Sequence, residues 1–243
     1  MIVCIIDTTS DAHLLHKAYE GIEDSVILVN PKPKELDDIL RERPNETLMG
    51  LGHGCSSGLF GHMYCSTIIG ERNIELLKDR DLICIWCNAD GFGRRHPELK
   101  GFFTSMFISN EGEAQCYGYK NYSNDDIFNE VTLFCERVNK LLKDKTPLNE
   151  WVDKLYSMHD ATKGYVHYNY CGLRYFYPTN GDIREVIEYD HIDNKVVLNE
   201  EKVSKYDRYA YDIFRTKYWP KDEEFEDETP FPEFNPLPEV GPY

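Results

Sequence analysis

The chain is 243 residues long, with 43 acidic and 27 basic residues and a formal net charge of -16. This charge argues against nucleic acid as a general partner, because binding to phosphates requires a basic face. Hydrophobic residues make up 41% of the sequence, which is typical of a folded globular protein and excludes general disorder. No apolar stretch reaches the length of a membrane span, so we expect no membrane partner.

The first residues give an expectation about cellular location. They read Met-Ile-Val-Cys-Ile-Ile-Asp and lack both the basic region and the apolar length of a secretory signal. We therefore expect a cytoplasmic protein. In that compartment the eight cysteines are expected to be free thiols, because cytosolic proteins rarely keep disulfides.

The first ninety residues alternate short apolar runs with amphipathic segments. The apolar runs predict strands at residues 2–6, 25–29, 47–51 and 82–86. The segments between them predict helices, the first of which is capped by the polar turn at residues 7–10. This alternation predicts the α/β fold class, as a three-layer sandwich with helices on both faces of a mostly parallel sheet.

The next segment gives weaker patterns. Residues 88–100 contain two glycines and the pair Arg94-Arg95, and predict a loop. Residues 101–109 predict a helix, and residues 114–119 and the alternating stretch 165–177 predict strands. A long amphipathic helix is predicted to begin at Ser123 or Asn124, and Pro147 to begin another.

The composition changes near residue 181. Between residues 221 and 239 there are eight acidic residues and one lysine, and six prolines lie between residues 220 and 242. Such a proline content excludes regular structure. We therefore predict one domain over residues 1–180 and a C-terminal extension over residues 181–243, an irregular, acidic, proline-rich tail that is either free or draped over the domain.

Two predicted strands end at a reactive side chain. The third is followed by Gly52-His53-Gly54 and the fourth by Cys87. Because the carboxyl ends of parallel strands meet at one edge of a sheet, His53 and Cys87 are predicted to face each other across a crevice. A thiol beside an imidazole is a candidate nucleophile and base, and the amides of Gly54 and Cys87 are candidate oxyanion donors. We expect the strand-end thiol to escape burial, so that His53 can tune its pKa.

Other cysteines and glycines near this pair suggest different roles. Four cysteines lie inside apolar runs and are predicted to pack in the core: Cys4, Cys84, Cys116 and Cys135. A zinc site would draw on Cys84, Cys87, His53, Cys55, His62 or His96, but the odd offset between Cys84 and Cys87 sends their side chains to opposite faces of a strand. The pattern Gly52-x-Gly54-x-x-x-Gly58 is too weak for a nucleotide site, because it does not follow the first strand. We expect no metal and no cofactor.

An apolar block ending in His-Gly, followed by one ending in Cys, resembles the caspase-like cysteine peptidases, which include caspases, metacaspases, legumains, gingipains, clostripain and separase. The resemblance covers residues 1–119 in element order. It implies a caspase-like sheet and an endopeptidase acting on peptide or protein substrates, in which Cys87 is the nucleophile and His53 protonates the leaving amine. Gly54 matches the glycine whose amide serves the oxyanion hole. Trp86 before the cysteine and Asn88-Ala89-Asp90 after it depart from the family pattern.

The resemblance also implies a pocket for the residue before the scissile bond, built from the ends of the first and fifth strands. Asp7 ends the first strand, and a carboxylate there would favour Arg or Lys before the cut. The same residue type also serves as part of a helix cap, and both interpretations stay open. Tyr117, Tyr119, Lys120 and Asn121 would form the opposite wall.

Two further hypotheses follow from the resemblance. Cleavage after basic residues would make Arg94 or Arg95, in the predicted loop, a self-processing site. The alternative function is a catalytically silent caspase-like module that regulates or interacts through its acidic tail.

Overall fold

The computed structural model describes residues 1–64 and 66–178, together with the backbone of two short strands further along the chain. In chain order the strands are β1 (Ile2–Ile5), β2 (Val26–Val29), β3 (Leu48–Leu51), β4 (Gly54–Cys55), β5 (Gly58–Phe60), β6 (Thr67–Gly70), β7 (Asp81–Ile85), β8 (Lys100–Phe103), β9 (Arg174–Phe176), β10 (Ile187–Asp190) and β11 (Lys195–Leu198). The α-helices are α1 (Ser10–Leu14), α2 (Pro33–Glu42), α3 (Ile74–Leu77), α4 (Ala89–Arg95), α5 (Glu111–Cys116), α6 (Asn124–Lys143), α7 (Trp151–Met158) and α8 (Gly164–Cys171).

The main sheet has six strands in the order β2-β1-β3-β7-β8-β9. The first five are parallel, and β9 runs antiparallel to β8 at one edge. Every residue of β1 and β3 is buried, as expected for parallel strands covered on both faces. The predicted α/β class with a mostly parallel sheet is therefore confirmed.

Alternate residues of the strands face two separate cores. Val3 and Ile5 contribute to a core that α6, α7 and α8 cover, whereas Ile2 and Cys4 contribute to one that α2, α3 and α4 cover. This alternation is the two-residue period of a strand. The sheet is thus the middle layer between two sets of helices, and its carboxyl edge stays open for side chains from the connecting loops.

Residues 88–100 do not form the predicted loop. They include α4, and its two glycines mark close packing rather than a turn. A Cβ on Gly91 would lie 2.7 Å from the Cβ of Ser56, and one on Gly93 would lie 2.8 Å from the ring of Phe176. The glycines therefore let the helix pack tightly against its neighbours.

Three further predictions, for segments between residues 100 and 177, are wrong. Residues 100–103 form a strand rather than a helix, because they are paired on one side with β7 and on the other with β9. Residues 111–116 form α5 rather than a strand, and the side chain of Asn110 caps this helix by accepting from the Glu113 amide. The predicted strand over 165–177 is a helix, α8, followed by the short strand β9.

Most of the cysteines predicted to pack in the core do so. Cys4, Cys84 and Cys135 are buried as predicted, but the prediction that Cys116 lies in the core is wrong, because it is exposed at the end of α5. The antiparallel strands β4, β5 and β6, which follow β3, were not predicted. Among the described residues, no helix is both long enough and apolar enough to span a bilayer.

The predicted acidic tail lies outside the described residues, apart from β10 and β11, which pair antiparallel. The predicted boundary at residue 180 stays a prediction.

Candidate active site

His53 follows β3 across a glycine that the backbone requires. Gly52 has a φ of +141°, and a Cβ there would lie 3.0 Å from both the Cβ and the carbonyl oxygen of Ile6. Only glycine combines this conformation with such a close approach. The chain can therefore turn at the end of β3 and carry His53 to the carboxyl edge of the sheet.

Cys87 occupies the matching position on the neighbouring strand. β3 and β7 pair with Leu51 opposite Ile85, so His53 and Cys87 each lie two residues beyond this pair. Both residues line one cleft that is partly open to solvent. The structure thus brings the two predicted residues to the same cleft, and their catalytic role stays a prediction.

The cleft also contains a carboxylate that was not predicted from the sequence. Asp11, in the first turn of α1, is 7% exposed, and its Oδ1 lies 3.6 Å from Nε2 of His53. The hydroxyl of Ser109 donates to Oδ2 of Asp11 at 2.7 Å. Thr9, the cap of α1, places its Oγ1 2.7 Å from the same nitrogen of His53. Asp11 and Thr9 therefore hold Nε2, and Nδ1 is the ring nitrogen that these two residues do not contact.

The sequence contains one signal that leads to Asp11. Thr9 and Asp11 belong to the turn and helix start after the first predicted strand, whose carboxyl end lies at the same sheet edge. Strand-end topology therefore points to the next few residues as well as to Asp7.

The contacts around Asp11 and His53 favour the charged form of each. Burial alone would raise the pKa of Asp11, but the nearby imidazole of His53, together with Thr9 and the hydrogen bond from Ser109, outweighs it and holds that pKa well below its usual value. The Asp11 carboxylate, 3.6 Å away, raises the pKa of His53 against the smaller, opposite effect of burial. His53 is therefore more readily protonated near neutral pH than a free imidazole.

Cys87 rests as a neutral thiol. Its Sγ donates to the carbonyl oxygen of Phe107 at 3.6 Å, and burial raises the pKa of the thiol to about 12, with a further contribution from Glu113. Cys87 is half-buried where it lines the cleft, so the thiol is neither enclosed in the core nor freely exposed. Attack by this sulfur requires its proton to leave as the reaction proceeds.

Two backbone amides lie where an oxyanion hole is predicted. Phe60 donates to the carbonyl oxygen of His53 at 2.9 Å, and the next pair along the β4–β5 hairpin is Gly54 with Leu59. Because hydrogen-bonded and non-bonded pairs alternate in an antiparallel ladder, the Gly54 amide turns away from β5. The Cys87 amide has no acceptor in the part of the chain that the structure describes. The Cys87 amide is therefore available to a ligand in the cleft, whereas Gly54 is not among the residues that line it, and its role in an oxyanion hole stays a prediction.

Trp86 supports the loop that carries His53. It is 2% exposed, and its Nε1 donates to the carbonyl oxygen of Cys55 at 3.2 Å. A Cβ on Gly54 would lie only 2.3 Å from the Cδ1 of the indole. The large residue before Cys87 thus packs directly against Gly54, which gives this departure from the family pattern a structural role.

The segment Asn88-Ala89-Asp90 turns the chain from Cys87 into α4. Asn88 has a left-handed φ of 60°, and its amide donates to the carbonyl oxygen of Ser105 at 3.0 Å. The amide of Asp90 donates to the carbonyl oxygen of Thr104 at 2.9 Å. These bonds tie the start of α4 to the residues after β8 and fix the backbone on the C-terminal side of Cys87.

The predicted substrate-binding residues lie around the cleft rather than in its wall. Asp7 is not among the lining residues, and its carboxylate contacts His13 and His16 instead. The fifth strand of the main sheet is β8, so the premise that Tyr117 and its neighbours end this strand is wrong. Residues after β8, including Ser109, line the cleft.

Two of these residues are aromatic and pack together near the site. The ring of Tyr117, which is 45% exposed, lies 5.2 Å from that of Tyr168, and Tyr119 packs on the same ring at 6.4 Å. The pKa of Tyr117 is raised, mostly because the residue is partly buried, and the nearby Cys87 adds to the rise. Lys120 and Asn121 are exposed. A substrate-binding role for Tyr117, Tyr119, Lys120 and Asn121 stays a prediction.

Tyr64 is a further aromatic residue at the site that was not predicted. Its ring lies 5.8 Å from that of His53, and the residue has a positive φ of 59° and is 56% exposed. It therefore forms a rim beside the imidazole.

Two observations concern the alternative zinc and nucleotide sites. Cys84 is buried in the core while Cys87 lines the cleft, as the odd offset along a strand requires. Gly58 of the glycine pattern lies in β5, where a Cβ would approach the carbonyl oxygen of Ile69 to 1.9 Å. The glycine pattern is therefore explained in part by hairpin packing.

Comparison of the sequence with protein-family models and with curated proteins gives no match. The functional proposal therefore rests on the geometry of the cleft.

Proposed function

We propose that the protein is a caspase-like cysteine endopeptidase with Cys87 as nucleophile and His53 as proton carrier. The observation that carries the proposal is the register of β3 and β7, which places the two residues at equivalent strand ends on one cleft. A thiol and an imidazole at such positions are the groups that acyl transfer to sulfur requires.

The proposed reaction uses groups that line or border the cleft. Sγ of Cys87 attacks the scissile carbonyl carbon while its proton passes to neutral His53. The carbonyl electrons move onto oxygen, which the amides of Gly54 and Cys87 receive. The C–N bond then breaks as His53 gives the proton to the amine. Water, deprotonated by His53, hydrolyses the thioester and restores the thiol.

Asp11 acts as a positioning residue in this mechanism. Its carboxylate holds Nε2 of His53 and favours the imidazolium that forms when Cys87 loses its proton. The carboxylate thus supplies a charged partner for the imidazolium.

The charge of the cleft supports cleavage after basic residues. Asp11 and Glu113 both raise the pKa of Cys87 and of His53, so the site lies in a negative field. Such a field favours a cationic substrate side chain. Self-processing at Arg94 or Arg95 is disfavoured by α4, because a helix must unfold before a peptidase can bind it in extended form. The cytoplasmic location stays a prediction.

A silent module is the second candidate function, and one observation favours it. The thiol of Cys87 donates to the carbonyl oxygen of Phe107, and its pKa of about 12 means that no thiolate is present at rest. A peptidase must therefore gain its thiolate during catalysis, whereas a silent module never does.

Peptide probes that end in an acyloxymethyl ketone after Arg, Lys or Asp distinguish the two functions. We expect the Arg and Lys probes to label the full chain at Cys87, and Cys87→Ala to abolish labelling. Cys116→Ala is the matched control and should label like the wild type, because Cys116 is exposed outside the cleft. Labelling that persists in Cys87→Ala, or that is absent with all three probes, contradicts a peptidase and favours the silent module.

A further inference from the structure

A second group of reactive side chains lies beside the cleft. Asp7 follows β1, His13 belongs to α1, and His16 lies in the 3₁₀ turn Leu15–Ala18. Each offers one potential ligand atom, and these atoms all lie within 4.8 Å of one another. In residues 1–64 and 66–178, no other group of three His, Cys, Asp or Glu side chains converges in this way.

The spacing of the three atoms suits a small divalent cation. Oδ2 of Asp7 lies 3.1 Å from Nδ1 of His13 and 2.9 Å from Nε2 of His16. Ligand atoms around tetrahedral zinc, at bonds of 2.0–2.1 Å, are separated by about 3.3–3.4 Å. An ion between these side chains therefore requires each oxygen–nitrogen contact to lengthen by about 0.2–0.5 Å. The two imidazole nitrogens already lie within 4.8 Å of each other.

Neighbouring residues hold the two more buried members in place. The Asp7 amide donates to Oδ1 of Asn30 at 2.9 Å, and Nδ2 of Asn30 donates to the carbonyl oxygen of Asp7 at 3.2 Å. Tyr19 places its hydroxyl 2.5 Å from Nδ1 of His16. A hydrogen bond on one ring nitrogen orients the other toward a metal, which is the usual outer shell of a ligating histidine.

The cluster is reachable from solvent. The side chains of His13, His16 and Asp7 are 72%, 34% and 22% exposed, so an ion can enter and keep a water as its fourth ligand. Two imidazoles and one carboxylate favour zinc and similar transition metals over calcium or magnesium, which prefer oxygen ligands.

We propose that Asp7, His13 and His16 bind a divalent transition-metal ion of the zinc class. This differs from the expectation that the protein holds no metal, which considered only cysteine-containing sets. It also bears on the two open interpretations of Asp7, because a carboxylate that ligates a metal no longer serves as a free counter-charge for a substrate. The proposal is independent of the peptidase chemistry, since none of its ligands lines the cleft.

Cobalt(II) titration of the metal-free, full-length protein tests the proposal, with zinc as the competing ion. We expect one equivalent of Co²⁺ to give visible ligand-field absorption. The near-ultraviolet band of thiolate-to-cobalt charge transfer should be absent. One equivalent of Zn²⁺ should then remove the visible absorption. His13→Gln changes a mostly exposed side chain and should fold normally, yet weaken binding by at least about tenfold. Asp7→Asn should do the same.

Three further variants test whether the ion binds at this cluster and not elsewhere on the protein. Tyr19→Phe removes the bond to His16 and should weaken binding by less than His13→Gln does. His62→Gln changes an exposed histidine outside the cluster and should bind like the wild type. Cys87→Ala should also bind normally, so a failure of the peptidase proposal leaves this result unaffected.

The proposal is overturned if the wild type binds no stoichiometric cobalt or zinc. It is equally overturned if both His13→Gln and Asp7→Asn retain wild-type affinity, or if the spectrum shows thiolate coordination at the single bound ion. In the first case the contacts of Asp7 are hydrogen bonds to two histidines and nothing more.

Discussion

At the scale of single residues, the cleft combines an imidazole that is easily protonated with a thiol that is hard to deprotonate. Asp11 raises the pKa of His53, while burial raises the pKa of Cys87 to about 12. In the proposed mechanism, the thiol therefore depends on a substrate to bring sulfur, carbonyl and imidazole together. The same high pKa would limit other reactions of the sulfur in the absence of substrate.

Alkylation rates give a direct measurement of this resting state. We expect iodoacetamide at neutral pH to modify exposed Cys116 faster than Cys87, because only a thiolate reacts. The rate at Cys87 should rise about tenfold per pH unit below its pKa, in proportion to the thiolate fraction. Peptide mass spectrometry after brief labelling measures both. A Cys87 that reacts first at pH 7 would show a preformed thiolate instead.

Removing the charge of Asp11 tests its role as a positioning residue. Asp11→Asn keeps the size of the side chain and its contact with Ser109, but no longer stabilises the imidazolium of His53. We expect kcat on a basic peptide substrate to fall by about 10²-fold, within the range of acid–base catalysis. The acidic limb of the pH profile should also move to lower pH. Asp38→Asn, an exposed acid on α2, is the control, and equal activity of the two variants would exclude the role.

The positions of site residues could be predicted where strand topology alone determines them. His53 and Cys87 follow short buried strands, so their meeting at one edge needs only the parallel order of β3 and β7. Asp11 could not be assigned in the same way, because its approach to His53 depends on how α1 leaves the end of β1. The contact of the Cys87 thiol with the carbonyl oxygen of Phe107 could not be predicted either, because Phe107 lies twenty residues away in sequence.

At the scale of elements, the errors share a physical cause. Lys100–Phe103 has no strong strand pattern of its own and becomes β8 through pairing on both sides. Gly91 and Gly93 resemble loop residues until their neighbours, Ser56 and Phe176, are known. Local patterns therefore predicted the four parallel strands before Cys87, where the apolar runs are clear, and failed where tertiary contacts decide.

The contact between β4 and Trp86 gives a prediction at this scale. In Gly54→Ala the new methyl group would lie 2.3 Å from the indole and 2.6 Å from the carbonyl oxygen of Gly58, so the hairpin must shift. We expect a loss of about 1–3 kcal/mol in the free energy of unfolding, typical of overpacking. Urea denaturation measures the loss.

Activity should fall further than stability explains, because the Gly54 amide moves with the hairpin. Gly112→Ala is the matched control, since this glycine is exposed in helix α5 and its new methyl group would meet only the Oδ1 of Asn110, at 3.3 Å. A Gly54→Ala variant as stable and active as that control would mean that the hairpin does not depend on this contact.

At the scale of the whole molecule, the pair of buried Asp11 and half-buried His53 links the cleft to the stability of the fold. It joins the first turn of α1 to the residue two positions beyond the end of β3, at the carboxyl edge of the sheet. A pKa that is higher in the folded than in the unfolded chain makes folding favour the protonated form. The pH dependence of unfolding therefore reports on the pair without any substrate.

For His53 the sign of this dependence is fixed by its raised pKa. Its contribution is fully present below the unfolded value of about 6.5 and is lost as pH rises through the higher folded value. We therefore expect the wild type to exceed His53→Gln in unfolding free energy most clearly below pH 6.5. The difference should shrink as the pH rises. Urea denaturation of both proteins at a series of pH values measures it, with exposed His62→Gln as control. A difference that stays constant or grows with pH would mean that Asp11 does not hold His53 in its charged form.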